Sequence, residues 1–250
     1  MKRLIVAIAA VGLAAIGLAT APAAVASGTC TGTITGTTGP LIVPPGATCE
    51  LDGATVNGSV TVQTDATLEV YGSTHITGAV TANSAREIHI FAQGGVPVNR
   101  IDGSLTINGS SSNAQDSEIC SVTIGGSVAV YRVDEPSDEL SIDGDGSEND
   151  CYGVGTTVSS PNGPVIIKGS VTFDHNPEEV ELSHASVSGS VNVLSNSDGD
   201  TVLDDGHAGS AEIEGNKIGG TLACSGNVNG IDNGGELNTA TTKTGQCVGK

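Results

Sequence analysis

"VNGSVTV", Val56 to Val62, is the stretch on which the fold turns. Val56, Gly58, Val60 and Val62 share one parity, while Asn57, Ser59 and Thr61 share the other. Strict alternation of this kind is the pattern of a β-strand with one buried face. Near-copies run down the chain: "ITGAVTA" from Ile76, "IDGSLTI" from Ile101, "IGGSVAV" from Ile124, "IKGSVTF" from Ile167, "VSGSVNV" from Val187 and "IGGTLAC" from Ile218. Their starts lie 20, 25, 23, 43, 20 and 31 residues apart, and self-similarity at such periods marks a solenoid. The longest interval suggests a degenerate copy, "IDGDG" at Ile142, and Ile34 with Gly36 suggests an imperfect first copy.

Second short apolar segments lie between the copies, such as "ATLEV" (Ala66 to Val70), "EIHIF" (Glu87 to Phe91) and "EVEL" (Glu179 to Leu182). No stretch after Ala26 carries a persuasive helical period. One coil of this kind cannot bury its inward face alone, but stacked coils build a continuous column of Val, Ile and Leu. The sequence therefore predicts an all-β chain: a single right-handed parallel β-helix, a solenoid of about eight to ten coils. The motif glycines Gly58, Gly78, Gly103, Gly126, Gly169, Gly189 and Gly220 fall on the inward parity at a corner. A side chain there is expected to crowd the bend.

The first residues read as a processing signal. Lys2 and Arg3 precede an apolar run from Leu4 to Ala19, then Pro22 and "AVA" at Ala24 to Ala26. A basic start, an apolar stretch and a small-x-small site describe a secretory signal peptide. The run is about 16 residues, short of the roughly 20 that span a membrane. Residues 1–26 are thus assigned to the signal and 27–250 to the β-helix, released to the extracellular space with no membrane attachment after cleavage. Thr29 before Cys30 argues against lipidation.

Six cysteines follow the signal, an even number suited to disulfides in an oxidising compartment. Nearest-neighbour pairing gives Cys30 with Cys49, Cys120 with Cys151, and Cys224 with Cys247; fifteen connectivities are open in principle. None has the C-x-x-C spacing of a zinc site. The first and last pairs bracket the two ends, where an open sheet edge invites pairing with another chain. Disulfide-capped ends favour a monomer. Residues 134–150 carry eight acids and are read as a protruding insert clamped by Cys120 and Cys151. Residues 225–250, rich in Gly and Asn, are read as the C-terminal cap.

The whole chain has 9 basic and 28 acidic residues, for a net charge of −19. This argues against nucleic acid and anionic membranes as partners. There is no tryptophan, and only three tyrosines and two phenylalanines are present, which weakens any sugar-stacking groove. "LDDGHAG" (Leu203 to Gly209) superficially suits a polysaccharide-cleaving enzyme, but its Asp204, Asp205 and His207 sit in one loop. Inverting hydrolysis needs two carboxylates on opposite sides of the bond, about 6.5 to 9.5 Å apart. No catalytic set emerges.

"NSDGDTVLDD" presents oxygens at Asn196, Asp198, Asp200 and Asp204, a weak calcium candidate resembling the start of an EF-hand loop. It departs at position seven, which is Val202, and at the closing glutamate, which is His207. Calcium is therefore the one cofactor to consider. His75, His89, His175, His184 and His207 are scattered and read as surface residues. Ser59, Ala79, Ser104, Ser127, Ser170, Ser190 and Thr221 follow the motif glycines, with Thr61, Thr81, Thr106, Ala129, Thr172, Asn192 and Ala223 two further on. Stacked, they make a hydroxyl ladder, either a binding face or simply good β-formers.

The "V-x-G-x-V" repeat, over most of Thr55 to Cys224, is loosely similar to that of the bactofilins, a resemblance that implies a polymerising β-helix. The "CTGTI" start at Cys30 to Ile34 and the "NxIGGxLxC" ending at Asn216 to Cys224 resemble small secreted parallel β-helix proteins of high-GC Gram-positive bacteria. That resemblance brings no assigned activity. The expected function is an exported, non-enzymatic structural or surface-interaction protein with a glycan or cell-surface partner. The alternative is a polysaccharide-binding or pectinase-like polysaccharide-cleaving β-helix.

Overall fold

A computed structural model describes residues 27–91, 98–134, 140–144, 164–197 and 210–250. These residues form 25 short strands and no helix. Nearly all the strands pair in parallel, each with its counterpart one coil away, so the chain is a parallel solenoid. Short runs of β-branched residues separated by glycine and polar corners fit this arrangement, because each run needs only a few extended residues per face.

Each coil has three faces. The first precedes the motif glycine (Thr55–Val56, His75–Ile76, Asn99–Ile101), and the second follows it (Val60–Val62, Val80–Ala85, Leu105–Ser110). The third is built from the intervening segments: Thr48–Asp52, Thr67–Tyr71, Glu87–Ile90, Ser117–Ile119, Leu140–Ser141, Glu181–Ser183 and Glu212–Glu214. Among the described residues the chain crosses the second face ten times from Gly28–Thr29 to Thr239–Gly245, which makes nine turns.

Register puts like on like. One inward column reads Leu41, Val60, Val80, Leu105, Val128, Val171, Val191 and Leu222. The first face contributes Val56, Ile76, Ile101, Ile124, Ile167, Val187 and Ile218. All of these are buried in one continuous cluster. At roughly 1.5–3 kcal/mol for each fully buried Val, Leu or Ile, this column lets a chain with almost no aromatics hold a fold.

Two motif assignments shift. Thr123 pairs with Ile166 and Val128 with Val171, so the copies at Ile124 and Ile167 are adjacent coils. The 43-residue interval is one coil with long insertions, and "IDGDG" is not a hidden copy. Leu140–Ser141 belongs to the third face, and Leu140 and Ile142 are fully buried. The acidic stretch 134–150 thus contains a segment of coil at its centre. Thr33–Ile34 likewise pairs with Glu50 and Leu51 on the third face. The first strand before a glycine corner is Thr37–Thr38.

The motif glycines are half-buried and stack on one another at the corner between the first two faces. The N–H of Gly189 donates to the carbonyl of Gly169 at 2.9 Å, and Gly169 to Gly126 at 2.9 Å. A Cβ on Gly189 would lie 2.6 Å from the Gly169 carbonyl oxygen and 2.5 Å from the Ser170 hydroxyl. Crowding therefore acts along the axis, between corners, and not from the core. The following serines complete the corner. The hydroxyl of Ser127 accepts from the Ser170 N–H, and that of Ser170 from the Ser190 N–H, each at 3.1 Å. Those hydroxyls are bonded within the fold.

The corner between the second and third faces uses a different device. Ser84, Gly109, Arg132, His175, Ser195 and Gly226 all have φ between 49° and 73°, left-handed backbone that turns the chain sharply. In the later coils the next residue is an interior asparagine: Asn176, Asn196 and Asn227, hydrogen-bonded from coil to coil. A second asparagine stack, Asn216 on Asn238, sits at the corner leading to the first face. These amides satisfy backbone groups that the ladder leaves unpaired at a bend.

Cys30–Cys49 and Cys224–Cys247 are disulfides, one near each end, and all four cysteines are buried. Cys120 is also disulfide-bonded; its predicted partner Cys151 lies outside the described residues. Residues 225–250 form a last coil, with Thr239–Gly245 paired on Lys217–Ser225, closed by the second disulfide.

Candidate interaction face

The serine hydroxyls at the motif corner are occupied by hydrogen bonds within the fold, and stacked acidic side chains gather on the third face. Its strands share a register that stacks one outward position: Thr33, Glu50, Glu69, His89, Glu118 and Ser141. The column continues to Glu181, whose carboxylate accepts from the Ser141 hydroxyl at 2.6 Å, and then to Glu212 and Asp232. Five glutamates thus share one line, with adjacent coils about 4.8 Å apart; His89 stands between Glu69 and Glu118 and Ser141 between Glu118 and Glu181, and Glu181 and Glu212 lie on a separate two-stranded sheet.

The column changes character along its length. Glu50, Glu69 and Glu118 are half-buried, whereas Ser141 and Glu181 are each only 2% exposed. Flanking positions add Glu87, in register with Thr67, and Asp116, whose backbone carbonyl meets His89 Nε2 at 3.0 Å. His89 Nε2 also lies 3.3 Å from the Glu87 carboxylate. Tyr71 stacks on Phe91 with ring centroids 5.2 Å apart and donates its hydroxyl to Glu50 at 3.3 Å.

The electrostatics follow from stacking like charges. Burial pushes the Glu69 carboxyl above its usual range, and Glu50 and Glu87 push in the same direction against a smaller opposing effect of His89. Burial holds the His89 imidazole below its usual value, against the pull of Glu87 and Glu69. Burial, then the Glu50 charge, raises the Tyr71 phenol to about 12. A line of stacked carboxylates is a natural acceptor for positive charge.

The other candidate residues fall elsewhere. Asn196 is fully buried in the asparagine stack. Its Oδ1 accepts from the backbone N–H and the Nδ2 of Asn176, and its Nδ2 donates to Asn227. No lone pair remains for a cation. Asp198, Asp200 and Asp204, with Asp205 and His207, lie outside the described residues. Among the described residues no three His, Cys, Asp or Glu side chains come together to hold a metal ion.

Each described histidine approaches a carboxylate: His75 with Asp102 at 2.9 Å, His89 with Glu87 at 3.3 Å, His175 with Asp174 at 2.6 Å, and His184 with Glu236 at 3.0 Å. His75 and Arg100 both bond Asp102, and these bonds hold its carboxyl below the usual range. His89 is buried, which departs from the surface position expected of it.

The glutamate column was present in the sequence as "CEL", "LEV", "IHI", "SEI", "VEL" and "AEI", each with its polar residue in the same slot. Insertions of unequal length between them hide the alignment until the coils are stacked. Among the described residues no helix is long and apolar enough to cross a membrane. Comparison with protein-family models, with curated proteins and with solved structures finds no match.

Proposed function

We propose that this chain is an exported, non-enzymatic rod that engages a surface partner through its third face. The observation carrying this reading is the in-register column Glu50, Glu69 and Glu118 on one parallel sheet, continued beyond the buried Glu181 by Glu212. A line of carboxylates at one- and two-coil spacings suits a polymer with repeated amines, which would relieve the like-charge repulsion. The net charge of −19 would steer such a partner in and keep polyanions away. The disulfides and the expected signal peptide support an extracellular setting.

Sizing chromatography with light scattering, on the protein mixed with an amine-bearing, a neutral and a uronic-acid polysaccharide, tests the reading. It predicts co-elution with the amine-bearing polymer at unchanged polymer mass. Absence of co-elution contradicts it. A polysaccharide-cleaving reading is favoured by one feature: burial and the neighbouring Glu50 raise the Glu69 carboxyl above its usual range, the direction glycoside hydrolysis requires of its acid. A falling polymer mass would establish that reading in its place.

A further inference from the structure

A cleft of about 290 Å³ opens where the second face turns towards the third, lined by Tyr131, Arg132, Asp174 and His175. Tyr131 and Asp174 are in-register neighbours on adjacent coils. Arg132 and His175 are the next residues, at the left-handed corner, with φ of 53° and 58°. That corner is filled by serine or glycine in the neighbouring coils: Ser84 and Gly109 before, Ser195 and Gly226 after. A left-handed backbone disfavours long side chains, and arginine more than histidine. The chain nevertheless places two long polar side chains there, on consecutive coils, bordering one cleft. The corner turns without them, so the turn does not account for them.

The chemistry of the four groups is complementary. Tyr131 offers an aromatic ring. Asp174 accepts hydrogen bonds and is fixed by His175 Nδ1 at 2.6 Å, a bond that does not engage the other ring nitrogen. Arg132 donates to the Asn108 carboxamide, and a guanidinium carries five donors, so further N–H groups remain for a ligand. The arginine and aspartate charges offset each other within the cleft, while the chain as a whole is at −19 and repels anions. The volume lies near the lower limit for small-ligand sites, roughly 300 Å³, room for a single ring. An aromatic surface ringed by donors and acceptors, with no excess charge, suits a neutral polyol.

We propose that this cleft is a binding site for one neutral pyranose ring. The site is separate from the glutamate column and does not rest on the reading of the third face.

Amide NMR titration of the protein with glucose, galactose, mannose, N-acetylglucosamine and galacturonate tests it. Saturable shifts at Tyr131, Arg132, Asp174 and His175 with at least one neutral sugar, and weaker effects of galacturonate, are expected. Tyr131→Ala should weaken that binding by about tenfold or more. Arg132→Gly supplies the residue the corner prefers, so the thermal midpoint should hold or rise while binding falls by about tenfold. No saturable shifts at these residues with any neutral sugar, or binding unchanged in both variants, would overturn the proposal. So would tighter binding of galacturonate than of every neutral sugar.

Discussion

Asn196 Oδ1 accepts two hydrogen bonds from Asn176, from its backbone N–H at 3.0 Å and from its side-chain Nδ2 at 2.8 Å. In sequence, Asn196 opens an acidic stretch that resembles a calcium loop. In the fold it is a structural residue, one step in a buried amide stack that joins coils across the turn.

Asn196→Leu removes the acceptor of both bonds and leaves the Asn176 donors buried without it. At about 1–3 kcal/mol for each buried group left unsatisfied, stability should fall by several kcal/mol in chemical denaturation. Asn196→Asp would strengthen a calcium loop but buries an unpaired charge in the stack. It should destabilise at pH 7 with and without added calcium. Calcium-dependent rescue of that variant would contradict the structural assignment.

Gly189 and Gly36 make a matched pair. A methyl group on Gly189 meets the Gly169 carbonyl at 2.6 Å, whereas one on Gly36 meets nothing within 4 Å. Gly189→Ala should cost about 1–3 kcal/mol by forcing adjacent corners apart. In a domain of this size that lowers the thermal midpoint by about 2–4 °C per kcal/mol. Gly36→Ala should change it little, and equal effects of the two would count against axial crowding.

The raised Glu69 carboxyl makes a signed prediction about pH. The folded chain holds this proton more tightly than the unfolded chain, whose carboxyl titrates near the usual 4.5. Its contribution to stability is present below 4.5 and is lost as pH rises through the higher folded value. Glu69→Gln should therefore be nearly neutral at pH 4 and stabilising at pH 7, as read from the two thermal midpoints. A stabilisation larger at pH 4 than at pH 7 would reverse the sign and contradict the account.

Tyr71 reports on the same face from another group. Its ionisation should be delayed to about 12 in an ultraviolet absorbance titration. Glu50→Gln removes a nearby negative charge while keeping an amide oxygen that can accept from the phenol, so the Tyr71 midpoint should fall back towards 10. No movement would mean that the Glu50 charge does not reach the ring.

The fold was legible because the signal was redundant. Seven copies of a glycine-centred alternation imply parallel stacking, even though the axial clash at Gly189 was misplaced as inward crowding. The third face was harder to read. Its strands lack a glycine landmark, and insertions of unequal length separate Glu118 from Glu181. The eye finds Ile142 or Ile34 with a nearby glycine and assigns them to the wrong face. The asparagine stack is invisible for another reason, since its partners are 20 and 31 residues away and nothing local distinguishes Asn196 from a turn residue. Arg132 and His175 carry no motif at all; only the shared corner and cleft bring them together.

The most direct test of the central claim compares two charge-matched triple variants by calorimetry at low salt with a hexalysine peptide. One replaces Glu50, Glu69 and Glu118 by Gln on the third face; the other neutralises Asp65, Asp134 and Glu236 elsewhere, as Asn, Asn and Gln. Both reduce the net charge equally. The column variant should lose affinity by about tenfold or more, while the control loses less than about threefold. Equal losses in the two variants would mean that the peptide reads only net charge, and that the carboxylate column is not an interaction face.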